Sequence, residues 1–156
     1  MAEALKEAHK AFGENEVPIG AVVVYQGKVI AKAHNKVQQK QNALLHAEML
    51  AMEKAIGKLG TYLDKATLYV TIEPCIMCCG AMLKARLSRV VYGAKEPKGG
   101  GATSMYSLLQ DNRLNHKVQV TGGIMQAECG ELMSNFFSKQ REAKKANYED
   151  NCRLGK

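Results

Sequence analysis

Two short motifs, His46-Ala47-Glu48 and Pro74-Cys75-Ile76-Met77-Cys78, constrain this chain more tightly than anything else in it. One imidazole and two thiolates are the ligand set of a zinc whose fourth position stays open for water. For three side chains from two separate segments to meet at one ion, the fold has to bring residue 46 against residues 75–78. Glu48 stands two positions from the histidine, within reach of that water and surplus to ligation. Three ligands plus a free carboxylate point to hydrolysis at a metal. A structural clip more often recruits a fourth Cys or His at regular spacing.

Apolar patterning places both motifs at helix starts. Ala4, Leu5, Ala8, Ala11 and Phe12 recur at helical spacing and predict a first helix closing at Gly13. Ile19 to Tyr25 is a continuous apolar run, and Val29 to Ala33 follows after Gln26-Gly27-Lys28, which predicts a hairpin with glycine in the turn. Asn35 to Asn42 is a polar loop, and His46 to Lys58 has helical period, with Gly57 and Gly60 marking its end. Thr67 to Ile72 is a short strand running into Glu73-Pro74. Proline favours the first turn of a helix, so Cys75 to Leu87 is expected to be helical. Val90 to Tyr92 is the next strand, Lys98 to Gly101 a surface loop, and Met105 to Leu109 a short helix. Val118 to Val120 is a last strand, and Gln126 to about Lys145 a long terminal helix. This order argues an α/β sandwich with a mixed five-stranded sheet between helices, in which ligands collect where strands feed helices.

That spacing has chemical consequences. On a helix, residues three apart share a face, so Cys75 and Cys78 can grip one ion. The unpaired N–H groups and dipole of a helix N-terminus favour thiolate over thiol. With a zinc lowering its water's pKa to about 7, Glu48 can move a proton from that water to a ring nitrogen and a leaving group. The expected reaction class is hydrolytic loss of ammonia from an amidine-like ring carbon.

The remaining composition narrows the setting. Five cysteines, at 75, 78, 79, 129 and 152, are an odd number with three in one cluster, which suits a reducing compartment and a metal site better than a disulfide framework. Cys79 is expected to be a packing residue, and Cys129 and Cys152 carry no local pattern. The formal net charge of +7 points to a polyanionic partner. Part of it is local, because residues 139–156 hold six basic and three acidic side chains. No stretch approaches the roughly 18 apolar residues of a membrane span, and the amphipathic, mixed-charge N-terminus does not look like a secretory signal. We therefore expect one cytoplasmic domain over residues 1–156, with no membrane association and with a basic C-terminal helix and tail from about 126 onward.

His-Ala-Glu followed by Pro-Cys-x-x-Cys resembles the zinc-dependent nucleoside and nucleobase deaminases. Within them the chain looks like the bacterial tRNA-specific adenosine deaminases nearly end to end. The likeness includes Glu16-Val17-Pro18-Ile19-Gly20-Ala21-Val22, Asn35 ahead of His46, Leu68 to Cys78, Val90 to Ala94, Leu114 to Val118, and Phe136-Phe137. The chain departs from it at Leu44-Leu45, at Cys79 and in Lys139-Gln140-Arg141.

The resemblance implies a three-layer α/β/α cytidine-deaminase-like sandwich and conversion of adenosine to inosine at the wobble position of a tRNA anticodon. It implies one zinc per subunit on His46, Cys75 and Cys78, with Glu48 as proton shuttle. It places Asn35 at the edge of the flipped base, with the Ala47 backbone nearby. Val17, Glu96 and Lys98 line the groove, and Phe137, Lys139 and Arg141 meet the anticodon loop, most readily that of an arginine tRNA. It also implies a homodimer. Two other readings stay open on the residues. A deaminase of free guanine or cytidine would use the same chemistry without evident need for the basic helix. A silent RNA-binding relative would lack the shuttling glutamate, and Glu48 is present.

Overall fold

A computed structural model describes residues 1–154, apart from the side chains of residues 147 and 149–154. The expectations attached to Cys152 and to the end of the basic tail lie outside the described residues. Strand β1 (Gly20–Tyr25) is apolar throughout because it runs through the sheet interior, with β2 (Lys28–His34) on one side and β3 (Thr67–Ile72) on the other, both antiparallel to it. Strands β4 (Arg89–Ala94) and β5 (Gln119–Thr121) add in parallel, giving a mixed five-stranded sheet in the order β2-β1-β3-β4-β5. The β1–β2 turn takes positive φ at both Gln26 (49°) and Gly27 (73°), the backbone a two-residue type I′ hairpin requires.

Helices cover both faces. α1 (Ala2–Gly13) and α4 (Gln126–Leu154) lie on one side, and α2 (Ala47–Leu59) and α3 (Ile76–Lys84) on the other. The larger core cluster sits under α2 and α3, where Ala21, Val23, Leu68, Val70 and Val90 meet Ala51, Met52, Ala55, Cys79 and Met82. A smaller one joins Ile72, Ala94 and Cys129 beneath α1 and α4. β2 is an edge strand, and Lys54 and Lys58 of α2 donate to its Lys32 and Ile30 carbonyls at 2.9 and 2.6 Å. Ammonium groups on those acceptors discourage pairing with a further strand. Among the described residues, no helix is long and apolar enough to cross a membrane.

Four local expectations need correction. α3 ends at Lys84, not Leu87, because Arg86 takes positive φ and turns buried Leu87 toward β4. Pro74 lies one residue ahead of the helix cap, which is Cys75 itself, so the two cysteines do not share a regular helical face. The helix expected over Met105 to Leu109 is a single 3-10 turn at Leu108–Gln110. The glycine run is only partly surface: Gly100 and Gly101 are buried, and Gly100 bridges to Cys75.

Gly20 sets the seat of α1. A Cβ there would lie inside contact distance of the Ala4 carbonyl oxygen and 2.5 Å from the Ala8 amide nitrogen, so only glycine lets the helix backbone rest on the strand. Gly20→Ala should cost about 1–3 kcal/mol through overpacking, read as a lower urea midpoint. Gly13→Ala, where a Cβ meets nothing within 4 Å, is the control and should leave the midpoint close to wild type.

Candidate active site

His46 and Cys75 occupy the same structural position on two different helices. Each is an N-cap with extended backbone (ψ 152° and 173°), and neither side chain caps its helix. Both are therefore free to turn toward each other. The His46 Nδ1 lies 3.7 Å from Cys75 Sγ and 3.6 Å from Cys78 Sγ. Tetrahedral ligation, with metal–nitrogen and metal–sulfur distances of about 2.0 and 2.3 Å, separates nitrogen from sulfur by about 3.5 Å. The three donors thus fit one ion, and among the described residues they form the only such group of His, Cys, Asp and Glu.

Their electrostatics agree with that fit. Cys78 hydrogen-bonds to Cys75 and holds its thiol down to about 4 against the effect of burial, with His46 helping. Cys75 and burial together push the Cys78 thiol up. The Cys75 sulfur raises the His46 imidazole. The two shifts run in opposite directions because the sulfurs lie against each other, and a divalent cation bound between them would favour thiolate at both. Cys79 differs: burial lifts its thiol to about 12, and it packs in the core as a neutral group.

Glu48 lies in the first turn of α2, two residues from the histidine, and is 3% exposed. Burial raises its pKa. Its Oε2 is the only fully buried side-chain oxygen or nitrogen without a hydrogen-bond partner among the described residues. An orphaned buried oxygen is costly in a folded protein. Beside a metal-competent cluster, it marks a group kept free to act on something that enters.

The substrate-side candidates fall into three groups. Asn35 ends the β2 segment, buried, and the next residue's N–H donates to the Leu45 carbonyl at 3.1 Å, which sets Asn35 beside the His46 segment. Ala47, fully buried, opens α2, where backbone N–H groups have no intrahelical acceptor. Val17 and Phe137 line one cavity of about 470 Å³ with Gln38, Gln140 and Lys144. Phe136 is buried and stacks edge-on against Phe12, whereas Phe137 is 44% exposed. Lys139 sits over the Phe12 ring at 5.6 Å, and exposed Arg141 donates to Ser138. Glu96 and Lys98 belong to a separate loop, where the Lys98 N–H donates to the Glu96 carboxylate at 3.0 Å.

Sequence reasoning missed two buried acids that hold these pieces. Glu16 is fully buried, and its carboxylate accepts from the Asn35 amide (3.0 Å) and from the backbone N–H of Gln38 and Gln39 (3.1 and 2.5 Å). Glu73, 3% exposed, accepts from the N–H of Glu96, Thr103 and Ser104 and from both hydroxyls of Thr103 and Ser104. Burial alone would raise the Glu73 pKa, but these bonds outweigh it and hold the carboxyl below its ordinary value. Gly100 packs so closely that a Cβ there would lie 2.5 Å from the Glu73 carboxyl carbon. A lone acid between an apolar strand and a proline was the available signal.

Comparison with known proteins places this geometry. The family model described as MafB19-like deaminase matches residues 1–141. The tRNA-specific adenosine deaminase of Bacillus subtilis (strain 168) is 50% identical over 147 residues, covering 94% of this chain and 91% of that protein. A solved structure from biochemical and structural studies of A-to-I editing by tRNA:A34 deaminases at the wobble position of transfer RNA is similar at TM-score 0.81 and 40% identity. That match covers 85% of this chain and 96% of the other. A guanine deaminase from Nitrosomonas europaea shares the fold at TM-score 0.73 with 21% identity, covering 86% and 81% of the two chains.

The role of Glu73 as anchor of the 96–104 loop is directly testable. Glu73→Ala leaves three amides without their acceptor, each worth about 1–3 kcal/mol when left buried and unpaired. Amide hydrogen exchange should quicken at Glu96, Thr103 and Ser104 while α2 keeps its protection. Unchanged exchange in the loop would refute the anchoring role.

Proposed function

The chain belongs to the MafB19-like deaminases and, among them, to the tRNA-specific adenosine deaminases, and from that premise we propose that it converts adenosine to inosine at wobble position 34 of tRNA anticodons. The observation that carries the proposal is the grouping of three metal donors with a buried, half-unpartnered Glu48 in a chain half identical to such an enzyme.

His46 Nδ1 and the sulfurs of Cys75 and Cys78 would hold one zinc ion per subunit. Bound there, zinc supplies Lewis-acid activation of water, lowering its pKa to about 7. Glu48 takes a proton from the attacking water and passes it to the ring nitrogen. It then takes the second proton from the hydroxyl added to the ring carbon and gives it to the amino group, so that the C–N bond breaks, ammonia leaves and the ring keeps the oxygen as a carbonyl. Burial favours the first step, because a carboxylate whose pKa is raised above its ordinary value takes a proton from water more readily than a solvated one.

Asn35 addresses the edge of the flipped base, with the Ala47 backbone as a second contact. Val17, Glu96 and Lys98 border the groove, Phe137 offers a stacking face, and Lys139 and Arg141 meet phosphates. The exposure of Phe137 beside a cavity that Val17 also lines supports this arrangement. The partner we propose is the anticodon loop of an arginine tRNA, bound by a homodimer of single-domain subunits (residues 1–156) in the cytoplasm.

The decisive assay is inosine formation in an arginine-tRNA anticodon stem-loop, with free adenosine, cytidine and guanine in parallel. Inosine in the RNA alone is expected. Turnover of a free base with inert RNA would move the enzyme to salvage. Glu48→Ala should abolish inosine formation while retaining metal by elemental analysis and RNA by gel shift, and loss of the metal would contradict its role as a non-ligand. RNA affinity should fall steeply with salt as phosphate contacts release counterions. An affinity indifferent to salt would argue against the basic helix as an RNA contact.

A further inference from the structure

An asparagine amide can address a base edge reliably only if it is held one way round, because its two ends have nearly the same shape. Glu16 supplies that hold. A carboxylate accepts and does not donate, so the group facing it must be the Asn35 Nδ2, as observed at 3.0 Å. Turning the amide over would set Oδ1 against a carboxylate oxygen. With one Nδ2 hydrogen committed to Glu16, the second hydrogen and Oδ1 remain to be offered in a fixed arrangement.

Glu16 is itself fixed from both sides. Its N–H donates to the Ala11 carbonyl at 2.9 Å, tying it to the end of α1. Its carboxylate also takes the N–H groups of Gln38 and Gln39, which closes the loop between Asn35 and His46. That loop is completed by the bonds from Asn42 N to Val37 O and from Lys36 N to Leu45 O, both at 3.1 Å. The donors facing this fully buried acid come from the base-reading residue and from the chain that leads to the first metal ligand.

We propose that Glu16 is a positioning residue for the deamination: it fixes the rotation of the Asn35 amide and thereby the donor–acceptor pattern that the site shows to the base. The inference rests on the reading that Asn35 meets the substrate. The partners of the Glu16 carboxylate are the Asn35 amide and the Gln38 and Gln39 N–H groups, so its effect on the reaction passes through Asn35.

The test is a double-mutant cycle of Glu16→Gln and Asn35→Ala with the anticodon stem-loop as substrate. Glutamine keeps the shape and one acceptor, but its own amide offers both a donor and an acceptor, so Asn35 is no longer forced one way. E16Q should lower kcat by about tenfold through a substrate hydrogen bond made only part of the time. Metal content and RNA affinity should stay near wild type, since phosphate contacts dominate affinity. The thermal midpoint should fall in E16Q and E16Q/N35A alike, because glutamine leaves one of the Gln38 and Gln39 N–H groups without its acceptor. N35A should lose at least as much activity, and E16Q/N35A should match N35A within about twofold, as coupled residues do. E16Q at the wild-type rate, or a double variant that loses the product of the two single losses, would overturn the positioning role and leave that of Asn35 intact. N35A at the wild-type rate would overturn the reading of Asn35 itself.

Discussion

The structure depends on two helix beginnings facing each other on one side of the sheet. His46 and Cys75 each sit where extended backbone turns into helix, and each declines the capping role that a Ser, Thr, Asp or Asn would take there. Those side chains, with Cys78 one turn further on, converge within 4 Å of one nitrogen. Nothing in the local sequence of either helix supplies that distance. It comes from the sheet: α3 follows directly from β3, α2 packs over β1 and β2, and β1 pairs with β3 in a fixed register from Ala21↔Val70 to Val24↔Thr67. A slip of that ladder by one residue would exchange the faces of β3 and separate the sulfurs from the imidazole.

Around this junction, the buried acids sort themselves by whether they are satisfied. Glu7 is paired with Lys10 and His34, Glu16 receives three N–H donors, and Glu73 receives five donors from one loop. Each is a polar group taken out of water with its bonds made, which is the condition for such a group to rigidify its surroundings. Among the described residues, Glu48 alone keeps a buried side-chain oxygen without a partner. The contrast separates structural carboxylates from a chemical one without appeal to any motif. Glu16 holds loop 36–42 and Glu73 holds loop 96–104, and the unsatisfied Glu48 stands beside the two helix starts.

Much of this was legible in the residues. The ends of α1, the span of β3 and the hairpin followed from apolar period and turn chemistry, because those elements bury one face or both over their whole length. The convergence of His46, Cys75 and Cys78 into one group able to hold a metal was legible because thiol and imidazole spacing carries its own chemistry. What stayed hidden were distant hydrogen bonds. That Gly100 would lie against Glu73, or that Glu16 would reach Asn35 and two backbone amides further on, depends on chain segments meeting after folding. A glycine run looks like a surface loop until a buried carboxylate is found beneath it. The early end of α3 was hidden for a similar reason, since Arg86 takes positive φ only because Leu87 must turn inward.

Helix α1 joins what would otherwise be two independent regions. On one side, its Phe12 ring meets Phe136 of α4 at 5.8 Å, and Lys139 of α4 lies over the same ring. On the other, the chain leaving α1 delivers Glu16 through a hydrogen bond to Ala11. Its seat on the sheet is set by backbone contact at Gly20, so there is little room for it to slide. Phe137, turned outward beside Phe136, therefore belongs to a surface whose foundation is the same helix that, through Glu16, anchors the Asn35 amide. Phosphate contacts along α4 can supply affinity but carry no base identity. Under the proposed function, selection comes from the buried side, where Glu16 and Asn35 are bonded to each other and Glu48 stands in the first turn of α2. Lys139 and Arg141 stand exposed on α4, so the side chains proposed to meet phosphates can differ without disturbing the frame that α1 and the sheet set around Asn35.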